Sequence, residues 1–155
     1  MVVTAVTVSV ITALVYHVVV PHSYPLLKLA GVGLAALSVV FLLCTALADP
    51  GVFKRHPQPL GPDWTYAEFA DSYRPPGTIY CHMTKVLIEG YDHFCPWSGT
   101  VIGKKNMIWF QLWVSTLVLA LLLDFVLLSA FLAGRVAPGG SAGGDSVLRC
   151  SRNVF

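Results

Sequence analysis

Three long runs of apolar positions dominate the chain, at residues 2–20, 26–48 and 108–133. Each is about as long as the ~20 residues that an α-helix needs to cross a bilayer, so the pattern predicts three transmembrane helices. The first run has no basic residue ahead of it, unlike a secretory signal, and reads as a retained span. Lys28 stands near the start of the second, where its long stem can snorkel to the interface. Only residues 21–25 join these two runs, which makes residues 1–51 an antiparallel transmembrane hairpin. A polar segment at 52–107 reads as a small irregular lobe between spans two and three. The tail at 134–155, rich in Gly and Ser, reads as a flexible linker. The expected fold is therefore an all-α integral membrane protein of three helices bearing that lobe.

Composition agrees with a lipid environment. Of 155 residues, 55% are hydrophobic and only 12% charged, which is far more apolar than a soluble domain of this size. The net charge of +2 is small and scattered, and no run of basic residues alternates with aromatics, so nucleic acid is excluded as a partner. The lobe carries Lys54, Arg55, Arg74, Lys85, Lys104 and Lys105, whereas the 21–25 link carries no Lys or Arg. The positive-inside rule then puts the lobe in the cytosol and the tail in the lumen or outside the cell. Cys44, Cys81, Cys95 and Cys150 form no Cys-x-x-Cys pair, so each is judged as a single thiol. Cys44 reads as a small buried apolar residue. Asp124, midway along the third run, is an ionisable group at costly depth and is expected to make a polar contact between helices.

The chemistry concentrates near the end of the lobe. Asp92, His93 and Cys95 put a carboxylate, an imidazole and a thiol within four residues, just before Pro96 and Trp97. A free thiol with a pKa near 8.5 is mostly protonated at neutral pH and needs a neighbouring base or cation to become a nucleophile. His93 is placed to take the proton and Asp92 to hold the imidazole. On these residues alone an inert cysteine is the commoner reading, because a cysteine with a histidine two residues away is common and usually unreactive.

The longer pattern decides more. Asp49-Pro50-Gly51, Arg74-Pro75-Pro76, Asp92, His93, Cys95, Pro96, Trp97, Gly103 and Asn106 together resemble the DHHC palmitoyltransferase family, whose cysteine-rich loop lies between the second and third spans. The resemblance implies a protein S-acyltransferase that moves a palmitoyl group from palmitoyl-CoA to a protein cysteine through an acyl-Cys95 intermediate. His93 would act as base and then acid, and Asp92 would orient it. Trp97, Phe110 and Trp113 would line an acyl cavity, although Trp109, Phe110 and Trp113 also suit anchors at the membrane interface. Lys104 and Lys105 would meet the phosphates of coenzyme A, or simply follow the positive-inside rule. Arg74 is expected to be structural, and Asn106 to cap the third helix by accepting a free helix N–H. The implied partners are palmitoyl-CoA, substrate proteins with cytosolic cysteines near the membrane, and the bilayer of the Golgi, endoplasmic reticulum or plasma membrane. The family has a fourth span and a C-terminal cytosolic segment, which would make this chain a fragment.

The departures fall on metal binding. The family signature Asp-His-His-Cys is here Asp92-His93-Phe94-Cys95. Ala67, Ala70, Tyr80 and Leu87 stand at the ligand positions of one zinc, and Cys81, Thr84, Phe94 and Val101 at those of the other. One ligand of eight survives, and a tetrahedral zinc needs four. The expectation is no metal, with acyl-CoA a substrate rather than a resident cofactor. The lost ligands leave an alternative, a non-catalytic membrane interaction or scaffold protein that retains a degenerate DHHC fold. They weaken a third reading, a membrane-anchored metal-binding module.

Overall fold

A computed structural model describes residues 2–19 and 25–134. The chain begins with helix α1 (Val2–Leu14), which runs into a π-helical turn at Val15–Val19. Helix α2 (Pro25–Leu47) follows. The lobe then contributes strands β1 (Val52–Phe53), β2 (Thr65–Ala67), β3 (Ser72–Arg74), β4 (Thr78–Cys81), β5 (Val86–Glu89), β6 (His93–Cys95) and β7 (Thr100–Ile102), with a 3-10 turn at Glu68–Ala70. Helix α3 (Met107–Leu132) leads away from it. Cys150 and all of the tail after residue 134 lie outside the described residues.

Two features correct the expected all-α, three-span fold. Among the described residues only α2 and α3, of 23 and 26 residues, are long and apolar enough to cross a membrane. The run at 2–20 is divided: α1 has 13 residues, a rise of only about 20 Å, before the geometry changes at Val15. The lobe, in turn, is built of strands. Its seven short strands form three antiparallel sheets, ordered β1-β5-β4, β2-β3 and β6-β7. Several of the pairs join β-branched or aromatic residues, as in Val52 and Ile79 opposite Ile88, and Phe94 opposite Val101.

The lobe docks on the helices through an apolar cluster of Leu42, Cys95, Ile102 and Trp113, and has a second core of its own around Cys81, Ile88 and Val101. Close approach at the junction requires Gly103, because a Cβ there would lie 2.4 Å from the Pro50 carbonyl oxygen and 2.7 Å from the Ile88 side chain. Arg74 is structural, donating from its guanidinium to the Thr78 carbonyl. Cys44 is half-buried. Deeper among the helices, Thr12 donates to the buried Asp124 carboxylate across 3.4 Å, joining α1 to α3.

Asn106 also departs from expectation. It stands at the start of α3 but makes no side-chain cap. Fully buried, its Oδ1 accepts from the Gly103 N–H at 2.9 Å, while its Nδ2 donates to the carbonyls of Val101 at 2.8 Å and Thr45 at 3.3 Å. One amide thus ties the lobe, α2 and α3 together. Cutting it to alanine leaves buried donors and acceptors without partners, at roughly 1–3 kcal/mol for each group. Asn106→Ala is therefore expected to cost about 3 kcal/mol, measured as a lower thermal midpoint of detergent-solubilised protein. Asp63→Ala, at an exposed position, should leave the midpoint unchanged.

Candidate active site

Strand β6 sets the site because successive side chains in a strand point to opposite faces. Phe94 turns into the lobe and packs on the core of Cys81, Ile88 and Val101. His93 and Cys95, two residues apart, face the other way and line one cavity. Asp92 Oδ2 lies 2.9 Å from His93 Nδ1, which fixes that nitrogen as the protonated donor. Nε2 is then the ring nitrogen left to serve the Cys95 thiol, which lines the same cavity. Phe110 braces the imidazole edge-on at 5.2 Å between ring centres, and Trp113 packs on Phe110 in turn at 6.0 Å.

After Cys95 the chain turns sharply through Pro96 to Gly99, with Gly99 at a positive φ of 70° and its N–H donating to the Cys95 carbonyl at 2.9 Å. This turn wraps donors around the sulfur. Burial pushes the Cys95 thiol up, but hydrogen bonds from the Ser98 side chain and backbone, His93 and the Trp97 backbone outweigh it, and the thiol sits below its ordinary value. Burial likewise pulls His93 down, while its bonds to Asp92 and Cys95 prevail and leave the imidazole above its ordinary value. The two shifts act together: a proton moving from sulfur to imidazole is favoured at both ends.

The cavity has a volume of about 820 Å³, within the range of pockets that enclose a whole small ligand. The lobe lines it with His93, Cys95, Pro96 and the largely exposed Trp97. Phe110, Trp113, Val114, Leu117 and Leu121 of α3 form one wall, and Thr7, Val8 and Ile11 of α1 another. Apart from His93, Cys95 and Thr7, the lining is almost wholly apolar.

Residues 63–138 match the family profile described as DHHC palmitoyltransferase. The chain belongs to the DHHC palmitoyltransferase family. Its relatives include the Palmitoyltransferase erf2 of Schizosaccharomyces pombe, 27% identical over 65% of this chain and 37% of that protein. The Palmitoyltransferase ZDHHC9 of Bos taurus is 38% identical over 29% of this chain and 12% of its own length. A Dictyostelium discoideum protein assigned to the ZDHHC-type palmitoyltransferases is 34% identical over 44% of this chain and 20% of its own. The chain thus spans about a fifth to two fifths of the length of the first curated relatives it matches.

Among the positions singled out in this DHHC family member, Asp92, His93, Cys95, Trp97, Phe110 and Trp113 come together. Lys104 and Lys105 do not join them. Lys104 pairs with Glu89, and Lys105 with Asp49 at 2.9 Å, and neither lines the cavity. Asp49 is held down at about 2 by the N–H of Val52, by Lys105 and by the N–H of Gly51, so that pair is charged on both sides at neutral pH. Ser98 and the α1 wall were missed from the sequence. The α3 wall had a readable signal, since 110, 113, 114, 117 and 121 are the i, i+3, i+4 stripe of one helix face.

The zinc ions that the resemblance implies do not fit the residues present. Ala67, Ala70 and Leu87 carry no donor atom, and Tyr80 alone cannot close a site; at the second set only Cys81 is a zinc ligand by type. Among the described residues no group of three or more His, Cys, Asp or Glu is arranged to hold a metal.

The lowered thiol has a direct readout. Iodoacetamide alkylation of the Cys95 peptide, followed by mass spectrometry across pH, should rise through a midpoint below the ~8.5 of a free thiol. Lowering pH through that midpoint protonates the thiolate and slows the reaction. His93→Ala and Ser98→Ala should each move the midpoint upward, and a wild-type midpoint at or above the free-thiol value would remove the activated thiolate.

Proposed function

We propose that the protein transfers a long acyl group from palmitoyl-CoA to a protein cysteine through an acyl-Cys95 thioester. The observation that carries this reading is the thiol of Cys95, held below its ordinary value beside His93 and Asp92, in the lining of an apolar cavity between α1 and α3. The acyl chain would lie in that cavity, where each methylene removed from water is worth about 0.8 kcal/mol. Trp97, Phe110 and Trp113 would hold the part of the chain nearest the reacting carbonyl.

In the first step the Cys95 thiolate attacks the thioester carbonyl of palmitoyl-CoA, forming a C–S bond to the enzyme. The bond to the coenzyme A sulfur breaks, and the leaving thiolate takes the proton that His93 received from Cys95. In the second step a substrate cysteine gives its proton to His93 and attacks the acyl-Cys95 carbonyl, and Cys95 leaves as the thiolate. A thioester replaces a thioester in both steps, so catalysis rests on alignment and proton transfer. Asp92 keeps the imidazole in one tautomer throughout. With their phosphate-seeking charge largely engaged by Glu89 and Asp49, Lys104 and Lys105 would meet coenzyme A only by exchanging partners.

Incubated with palmitoyl-CoA, the wild type should acquire a hydroxylamine-labile acyl group that Cys95→Ala abolishes and that Cys44→Ala and Cys81→Ala leave in place. His93→Ala should slow loading by about 100 to 10,000-fold, the usual worth of positioned proton transfer, and Asp92→Asn should slow it less. No loading of folded wild type would favour an interaction or scaffold role instead.

The protein is read as multi-pass, with α2 and α3 in the bilayer and the lobe on the cytosolic side, where acyl-CoA is found. The excess of Lys and Arg in 52–107 supports that orientation. A membrane-impermeant maleimide should label Leu60→Cys, at an exposed position of the lobe, from the cytosolic face alone. Labelling from the opposite face would separate Cys95 from its acyl donor.

A further inference from the structure

The four positions of the second implied zinc site meet at one place in the lobe even though three of them carry no zinc ligand. Cys81 and Val101 belong to one buried cluster with Ile88, and Phe94 packs against it. Phe94 and Val101 are direct cross-strand partners in β6 and β7. Thr84, exposed at the rim, stands in the turn between β4 and β5 that begins at Cys81. The turn that brings it there is closed by the Lys85 N–H on the Cys81 carbonyl at 2.8 Å, with Lys85 in the left-handed region at φ 58°.

The other set has changed in the same sense. Tyr80 and Leu87 face each other across β4 and β5, Leu87 and Ala70 are buried, and Phe69 stacks on Tyr80 at 5.9 Å. Partial loss of a ligand set would strand buried thiols and imidazoles, whereas exchange of nearly the whole set for apolar groups leaves little unsatisfied. Here only the Cys81 thiol remains of the ligand set, buried among Ile88, Val101 and Phe94, while the hydroxyls of Tyr80 and Thr84 stand at less buried positions.

We propose that this lobe keeps the frame of a zinc-built fold but folds without metal, the cross-link at Cys81, Thr84, Phe94 and Val101 being replaced by side-chain packing. The frame, and not the ligands, is what the sequence has preserved. This is independent of the acyl-transfer reading, since it concerns the face of β6 opposite to His93 and Cys95.

The full chain in detergent micelles tests it. Elemental analysis of folded wild type should find zinc far below one per chain, and 1,10-phenanthroline should leave its thermal midpoint unchanged. One zinc per chain, or a midpoint lowered by the chelator, overturns the proposal. A triple variant, Thr84→Cys, Phe94→His and Val101→Cys, completes four ligands with Cys81. It should take up one Co²⁺ per chain with thiolate charge-transfer and tetrahedral d–d absorption bands, and become chelator-sensitive. A triple variant that melts cooperatively yet binds no Co²⁺ overturns the preserved frame. One that folds only with metal supports it, and if it folds under neither condition the wild-type measurements decide.

Discussion

A single buried amide governs how this molecule is put together. Asn106 spends its side chain on the Gly103 N–H and on the carbonyls of Val101 and Thr45, and so joins the last strand of the lobe, the end of α2 and the start of α3. Each bond is modest by itself, but their geometry is coupled, because moving any one element breaks the satisfaction of the others. Everything nearby inherits that placement. Ile102 and Cys95 reach Leu42 and Trp113 because β7 is held against the helices, and Gly103 supplies the space in which Pro50 and Ile88 close over the junction.

Strand β6 shows how scaffold and chemistry are kept apart over three residues. Its alternation sends Phe94 into the lobe core and presents His93 and Cys95 to the cavity. The two faces answer to different requirements: one must fill volume, the other must position a thiol, an imidazole and their partners. Large change on the packing face is therefore compatible with an unchanged set of reactive groups, and the substitution of histidine by phenylalanine next to Cys95 stays on its own side of the strand.

Helices α2 and α3 were legible because a long apolar run has few other solutions in a bilayer. Asp92, His93 and Cys95 were legible because they are neighbours in sequence, and a strand places i and i+2 together without help from elsewhere. The strands were not, since elements of two to four residues are specified by partners rather than by their own pattern; Val52 pairs with Ile88 across 36 positions of chain. For the same reason Lys104 and Lys105 look like free cations until Glu89 and Asp49 are found beside them. Asn106 offered a local role as a helix cap, and the long-range bond to Thr45 displaced it. The break at Val15 is a change of helical geometry that apolar content cannot report, because an apolar run is compatible with either geometry.

Tyr16, in the π-helical turn, lies against α2 at Gly31 so closely that a Cβ on Gly31 would fall 1.8 Å from the ring. Ring and notch act as a key and its slot. They index α1 on α2, selecting one azimuth and one depth from the many that two smooth apolar cylinders would otherwise accept. Val8 and Ile11 ride on the indexed helix and form a wall of the cavity, whereas Gly31 touches none of it. The bore of that cavity is consequently gauged from outside, by a residue with no side chain, on a helix that contributes nothing to its lining.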